Sequence, residues 1–164
     1  MSDNNLNVVI AAGGTGGHLF PALAVAEQLD KLVSGYVNFT FIGSADRMES
    51  RLVPEMGYEY HPIEITGYSG LSFSLFKLPI KIYKAVRKSR KIIREKQADV
   101  VLATGSYICY PPGVAAAKEK VPLMLMEANV NPGKAIKMLA SRAGLIFTSF
   151  YESEQYFNPG VNNK

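Results

Sequence analysis

Short, continuously apolar runs alternate along this chain with longer stretches whose apolar residues recur every three or four positions. The first kind reads as buried strand and the second as amphipathic helix. "LNVVIAA" (6–12) predicts a first strand and "HLFPALAVAEQLDKLV" (18–33) a helix. "VNFTFIG" (37–43), "ADRMESRLVPEM" (45–56) and "YHPIEI" (60–65) predict strand, short helix and strand. The loop opening at Thr66 leads to a basic helix within 71–96. "ADVVLATG" (98–105), a helix from about Pro112, "VPLMLME" (121–127), a helix from about Pro132 and "GLIFTS" (144–149) complete the alternation. Strands this evenly apolar, separated by helices, belong to a parallel sheet covered on both faces. The predicted class is therefore α/β, a doubly wound parallel sheet.

In such sheets ligands collect at the carboxyl ends of the strands, so the loops there carry the chemistry. Three of them are unusual. "GGTGGH" (13–18) runs from the first strand into a helix, "GSYICYPPG" (105–113) follows the fourth strand, and "MEANVNPGK" (126–134) the fifth. Glycines let backbone N–H groups approach an anion, and a helix N-terminus adds favourable partial charge. Two common anion sites do not fit. A dinucleotide site needs G-x-G-x-x-G and an acid closing the second strand; here the glycines are Gly13, Gly14, Gly16 and Gly17, and the strand closes in Gly43-Ser44. A triphosphate loop needs Gly-Lys followed by Ser or Thr, and no such triplet occurs. No His or Cys pair has metal-ligand spacing, so neither a catalytic metal nor a cofactor is expected, and His61 reads as a bystander in the third strand.

Length and composition fit one globular domain, 1–164, with 48% hydrophobic and 20% charged residues. No apolar run of about 18 residues is present to span a bilayer. "MSDNNLN" has no signal-peptide features, and the single Cys109, expected to be a packed side chain, agrees with a reducing compartment. The net charge of +4 is unevenly placed. Residues 71–96 hold nine of the eighteen Lys and Arg and one of the fourteen acids, which makes that segment +8 and the remainder −4.

The segments "AAGGTGGHLFPALAVAEQL", "IGSADRMESRLVPEMGY", "ADVVLATGSYICYPPGVAAA" and "EANVNPGKAIKMLA" resemble the N-terminal domain of the MurG family of peptidoglycan glycosyltransferases. GGTGGH combined with GS-x-D-x-x-E is a specific pairing, and the likeness covers nearly the whole chain. It implies the Rossmann-like N-terminal half of a GT-B fold, one of two domains facing across a cleft. It also implies transfer of N-acetylglucosamine from UDP-N-acetylglucosamine to the C4 hydroxyl of the lipid-linked acceptor, lipid I, giving lipid II with inversion. The N-terminal domain receives the acceptor, and a C-terminal domain absent from this chain holds most of the donor. By the same resemblance Thr15, Gly16, Gly17 and Asn129 contribute to the donor site, and Gly14, Gly105, Ser106 and Tyr107 complete the candidate substrate-binding set. His18 is the candidate base, since histidine ordinarily titrates near neutrality; orienting the acceptor diphosphate is its other role. Glu127 is a candidate to orient His18 or a sugar hydroxyl, or else a buried acid bonded to neighbouring N–H groups. The chain departs from the family at Ser106, where a second glycine is usual, at Tyr110 and Pro112, which replace small residues, and at Ala128, where Gln is frequent.

Projected at 100° per residue, Leu75, Leu78, Ile82, Val86 and Ile93 fall on one side of the basic helix and predict its core face. Lys77, Lys81, Lys84, Lys88 and Lys91 lie opposite, flanked by Phe76, Ile80 and Tyr83. Apolar residues beside lysines are what an interfacial membrane helix presents, and the family carries a hydrophobic patch ringed by basic residues at similar positions. The expected partners are UDP-N-acetylglucosamine, lipid I and an anionic membrane surface, at the cytoplasmic face of the bacterial inner membrane. Nucleic acid is not expected, because no reader motif accompanies the charge. The alternative class is a non-catalytic membrane-recruiting subunit of a split glycosyltransferase.

Overall fold

The computed structural model describes residues 5–33, 36–65 and 78–157, together with the backbone of 162–163. In chain order the elements are β1 (Leu6–Ala11), α1 (Gly16–Val33), β2 (Val37–Ser44), α2 (Glu49–Glu55), β3 (Glu59–Ile63) and α3 (Leu78–Glu95). Then follow β4 (Val100–Ala103), α4 (Tyr110–Glu119), β5 (Leu123–Glu127), α5 (Lys134–Leu139), β6 (Leu145–Thr148) and the short β7 (Asn162–Asn163). The strands form one sheet in the order β3-β2-β1-β4-β5-β6-β7. Every pairing is parallel, with Val8 opposite Phe39 on one side and Val100 on the other.

Strand periodicity divides the core in two. Val8, Ile10 and Ala12 point to the face covered by α1 and α2, where they meet Leu19, Leu23 and Val53. Val9 and Ala11 point to the other face and pack with residues of α3, α4 and α5, among them Val86, Ile93, Ala115 and Leu139. Because successive strand side chains alternate faces, a strand coated on both sides must be apolar at every position, which is why "VVIAA" shows no alternation.

The sheet is the predicted one with differences at element ends. α4 begins at Tyr110, not Pro112, after a 3₁₀ turn at Tyr107–Cys109. Pro111 and Pro112 sit in its first turn, where a helix needs no amide donors, so they pre-set the helix instead of delaying it. α5 starts at Lys134, past Pro132, and β7 adds a strand that the periodicity does not reveal. α3 starts at Leu78 with Pro79 in its first turn. Its buried face is Ala85, Val86, Ser89, Ile92 and Ile93, with Ile82 partly buried. Leu75, Phe76 and Lys77 lie outside the described residues. Among the described residues no helix is long and apolar enough to cross a membrane.

Candidate functional site

The strand order reverses between β1 and β4: β1 leads outward to β2 and β3, and β4 leads the other way to β5 and β6. At such a switch point the loops diverge and open a crevice at the carboxyl ends of the strands. The two loops that flank it here are the first glycine loop, after β1, and the Gly105 loop, after β4. The Asn129 loop, after β5, is the next one along.

His18 is placed where α1 meets β4. Its Nδ1 lies 2.9 Å from the carbonyl oxygen of Thr104. A carbonyl only accepts, so Nδ1 carries the hydrogen, and in the neutral ring Nε2 is the nitrogen with a free lone pair. The Thr104 hydroxyl donates back to the His18 carbonyl at 2.8 Å. Gly105 makes the ring position possible: a Cβ there would stand 2.7 Å from Nδ1, and its φ of +104° suits glycine. Gly105 therefore makes room for the His18 ring.

The first loop is held from behind. Glu49, the fully buried first residue of α2, accepts a hydrogen bond from the Gly14 amide at 3.0 Å and others from the Ser44 amide and hydroxyl. The Gly14 amide is thus engaged within the protein. His18 N and Leu19 N close the first helical turn onto the Thr15 carbonyl at 3.2 and 3.1 Å. The amides of Thr15, Gly16 and Gly17 precede that closure, and such first-turn amides have no intrahelical partner. Thr15 and Gly17 are exposed.

Glu127 occupies the third loop. It is 2% exposed; one carboxylate oxygen accepts from the Asn129 amide and side-chain Nδ2, both at 2.8 Å, and the other from the Gly133 amide at 2.9 Å. Of the roles considered for it, the buried acid bonded to neighbouring N–H groups is the one found. Thr104, not Glu127, orients His18, because the Asn129 loop consumes both carboxylate oxygens. Asn129 itself is exposed, its side chain turned toward Glu127.

His18, Ser106, Tyr107, Glu127 and Asn129 line one cavity of about 370 Å³. Its remaining wall is largely apolar: Ile65, Leu78, Ile82, Tyr110 and Met138, with Lys134 the cation among them. A larger hollow of about 550 Å³ lies at the opposite end of the sheet, among Asn7, Asn38, Glu59 and Lys96. That is the amino end of the strands, which open α/β sheets do not use for ligands. His61 is also remote from the cavity, with Nε2 2.9 Å from Glu59 on the edge strand β3. Cys109 is fully buried, and burial pushes its thiol up to about 12, so it packs as a small protonated side chain.

Outside the cavity, α3 turns Ile80 and Tyr83, 58% and 67% exposed, to the surface beside the exposed Lys81, Lys84 and Lys88. Arg90 and Arg94, on the same side of α3 as Tyr83, both donate to Glu119 of α4. Sequence reasoning gave no role to Thr104 or Glu49. The signal for Glu49 was present, an acid six residues after Gly43 in "GSADRME", but only the fold brings it under the glycine loop.

Residues 8–148 match the glycosyltransferase family 28 N-terminal domain. A relative in Shewanella amazonensis, named UDP-N-acetylglucosamine--N-acetylmuramyl-(pentapeptide) pyrophosphoryl-undecaprenol N-acetylglucosamine transferase, is 43% identical over 145 residues, covering 87% of this chain and 39% of its own. A relative of the same name in Acidovorax sp. (strain JS42) is 39% identical over 143 residues, 87% of this chain and 35% of its own. The crystal structure of Acinetobacter baumannii MurG superposes with a TM-score of 0.81 at 27% identity, over 96% of this chain and 44% of that one. A UDP-N-acetylglucosamine 2-epimerase from Rickettsia bellii, at 16% identity, shares the fold alone, with a TM-score of 0.70 over 97% of this chain and 44% of that one. The chain thus spans 35–39% of the length of these two curated relatives. With the family match running from β1 through β6 and taking in all three loops of the crevice, this chain belongs to the glycosyltransferase family 28 N-terminal domain family.

Proposed function

We propose that this chain is the acceptor-receiving half of an inverting glycosyltransferase of peptidoglycan synthesis. Its reaction moves N-acetylglucosamine from UDP-N-acetylglucosamine to the C4 hydroxyl of N-acetylmuramoyl-pentapeptide on undecaprenyl diphosphate, converting lipid I to lipid II. The observation that carries this reading is the free Nε2 of His18, fixed by Thr104, in a cavity at the sheet's switch point. The transferase names of relatives at about 40% identity support the same chemistry.

His18 Nε2 takes the proton of the acceptor hydroxyl as that oxygen bonds to C1 of the donor sugar. The bond from C1 to the diphosphate oxygen breaks, UDP leaves with the electron pair, and a single displacement inverts C1. The Nδ1–H keeps donating to the Thr104 carbonyl throughout, which steadies the imidazolium that forms. The amides of Thr15, Gly16 and Gly17, at the start of α1, face diphosphate oxygens. The apolar wall of Leu78, Ile82 and Met138 suits the lipid-proximal part of the acceptor. Most donor contacts come from a second domain outside this chain. α3 rests on the cytoplasmic leaflet of the plasma membrane through Ile80, Tyr83 and its lysines, which brings the cavity to the lipid-linked substrate.

The test is amide-resolved NMR of the chain with UDP-N-acetylglucosamine and, separately, a water-soluble short-prenyl lipid I analogue. The amides of Thr15, Gly16, Gly17 and Asn129 should shift, and the chain alone should transfer no sugar. Millimolar ligand that moves none of these amides overturns the reading.

A further inference from the structure

We propose that Glu49 is a positioning residue for the first glycine loop: by holding the Gly14 amide it sets which amides of that loop are offered to an anionic ligand. The consequence for ligand rests on the diphosphate reading above; the clamp itself does not. Glu49 is remote from Gly14 in sequence, 35 residues on, yet its Oε1 collects the Gly14 amide, the Ser44 amide at 3.2 Å and the Ser44 hydroxyl. One oxygen therefore ties the end of β2 to the loop that leaves β1. The Tyr60 hydroxyl of β3 donates to the Ser44 carbonyl and extends the tie to the next strand.

The surroundings are built around this carboxylate. Gly43 has no room for a side chain, because a Cβ there would stand 2.9 Å from both the Ala12 carbonyl oxygen and Glu49 Cγ. A buried carboxylate is costly unless donors meet it, and an apolar side chain of similar volume would carry no such cost. What Glu49 adds is direction. With Gly14 N–H turned inward, Thr15, Gly16 and Gly17 are left as the outward set. The carboxylate has no exposed surface, so it does not itself touch a ligand.

Its two oxygens are unequal, and that makes the proposal testable. Oε1 takes all three bonds, and Oε2 is buried with no partner among the described residues. Glu49→Gln can keep its carbonyl oxygen on the three donors and turn its amide nitrogen to the Oε2 side, where no donor opposes it. Glu49→Asp keeps the charge but is one methylene short of Gly14. Glu49→Ala removes the tie.

Hydrogen exchange of the Gly14 amide reads the clamp, and titration with UDP and with inorganic pyrophosphate reads its consequence. Wild type and Glu49→Gln should protect Gly14 equally and bind the probes equally, or slightly tighter without the charge. Glu49→Asp and Glu49→Ala should lose the protection and weaken binding on the order of tenfold, within the roughly 10²-fold that misplaced positioning groups cost. If Glu49→Ala does not fold, the Gln and Asp variants decide. Protection and affinity unchanged in Glu49→Asp, or lost in a folded Glu49→Gln, overturn the proposal. Should wild type bind neither probe, the diphosphate reading fails, while Gly14 exchange alone still decides the clamp.

Discussion

His18 and Thr104, 86 residues apart, hold each other by two hydrogen bonds, ring Nδ1–H to carbonyl at 2.9 Å and hydroxyl to the His18 carbonyl at 2.8 Å. The first decides which ring nitrogen is free, and the second pins the first turn of α1 to the end of β4. Neither residue could place the imidazole alone.

If Nε2 is the base, His18→Ala in a full-length protein carrying this domain lowers kcat by roughly 10²- to 10⁴-fold. An acceptor KM that rises while kcat survives would instead make His18 a ligand of the acceptor diphosphate. Thr104→Val keeps the carbonyl and the shape but drops one hydrogen bond, so it should cost about 0.5–1.5 kcal/mol in urea unfolding.

Ser106 sits at φ 66°, ψ 160°, a region populated essentially by glycine and costing about 1–3 kcal/mol for other residues. This is the position at which the family usually has glycine, and the sequence departs from it. Ser106→Gly should raise stability by roughly 1 kcal/mol after the larger chain entropy of glycine is subtracted. The urea midpoint should rise with the slope unchanged.

Glu127 contrasts with Glu49 because both of its oxygens accept from N–H groups. Whichever way Glu127→Gln turns, its amide nitrogen meets a donor. The variant should lose about 1–3 kcal/mol and loosen the Asn129 loop, read as faster exchange of the Asn129 or Gly133 amide. A neutral outcome in both measurements contradicts the proposed bonding.

Arg94 and Arg90 both donate to Glu119 and hold its carboxyl below the usual carboxylate range, which ties α3 to α4. A carboxylate with a lowered folded-state pKa stabilises above its unfolded value and loses that contribution as pH falls through the folded one. Wild type should therefore be more stable than Glu119→Gln at pH 7, and the gap should close below about pH 4. Equal stability at neutral pH would mean these ion pairs contribute nothing.

Membrane binding through α3 needs two contributions. Each lysine near an anionic surface adds about 1 kcal/mol, screened beyond roughly 8 Å at physiological salt. Inserted apolar side chains add a part that salt leaves intact, at most about 1.5–3 kcal/mol each. Vesicle co-sedimentation should find residual wild-type binding at high salt, lost when Ile80 and Tyr83 are both changed to Ser. Both side chains are exposed, so the fold should survive the change. Equal binding to neutral and anionic vesicles would reduce the lysines to a solvated face.

Local patterns along the chain determined the α/β class, the first six strands, the glycine loops and the basic helix, because each is written in neighbouring residues and burial on both faces of a strand leaves a local mark. Helix starts were less legible, since Pro111 and Pro112 read as a barrier but serve inside the first turn of α4. The roles of individual groups were decided only by tertiary structure. Which carbonyl fixed His18 and what lay beneath Gly14 depended on partners brought together by strand order, 86 and 35 residues apart. A hydrogen bond is directional and short, so its partner is set by where the sheet places the backbone, and no pattern of neighbours along the sequence encodes that.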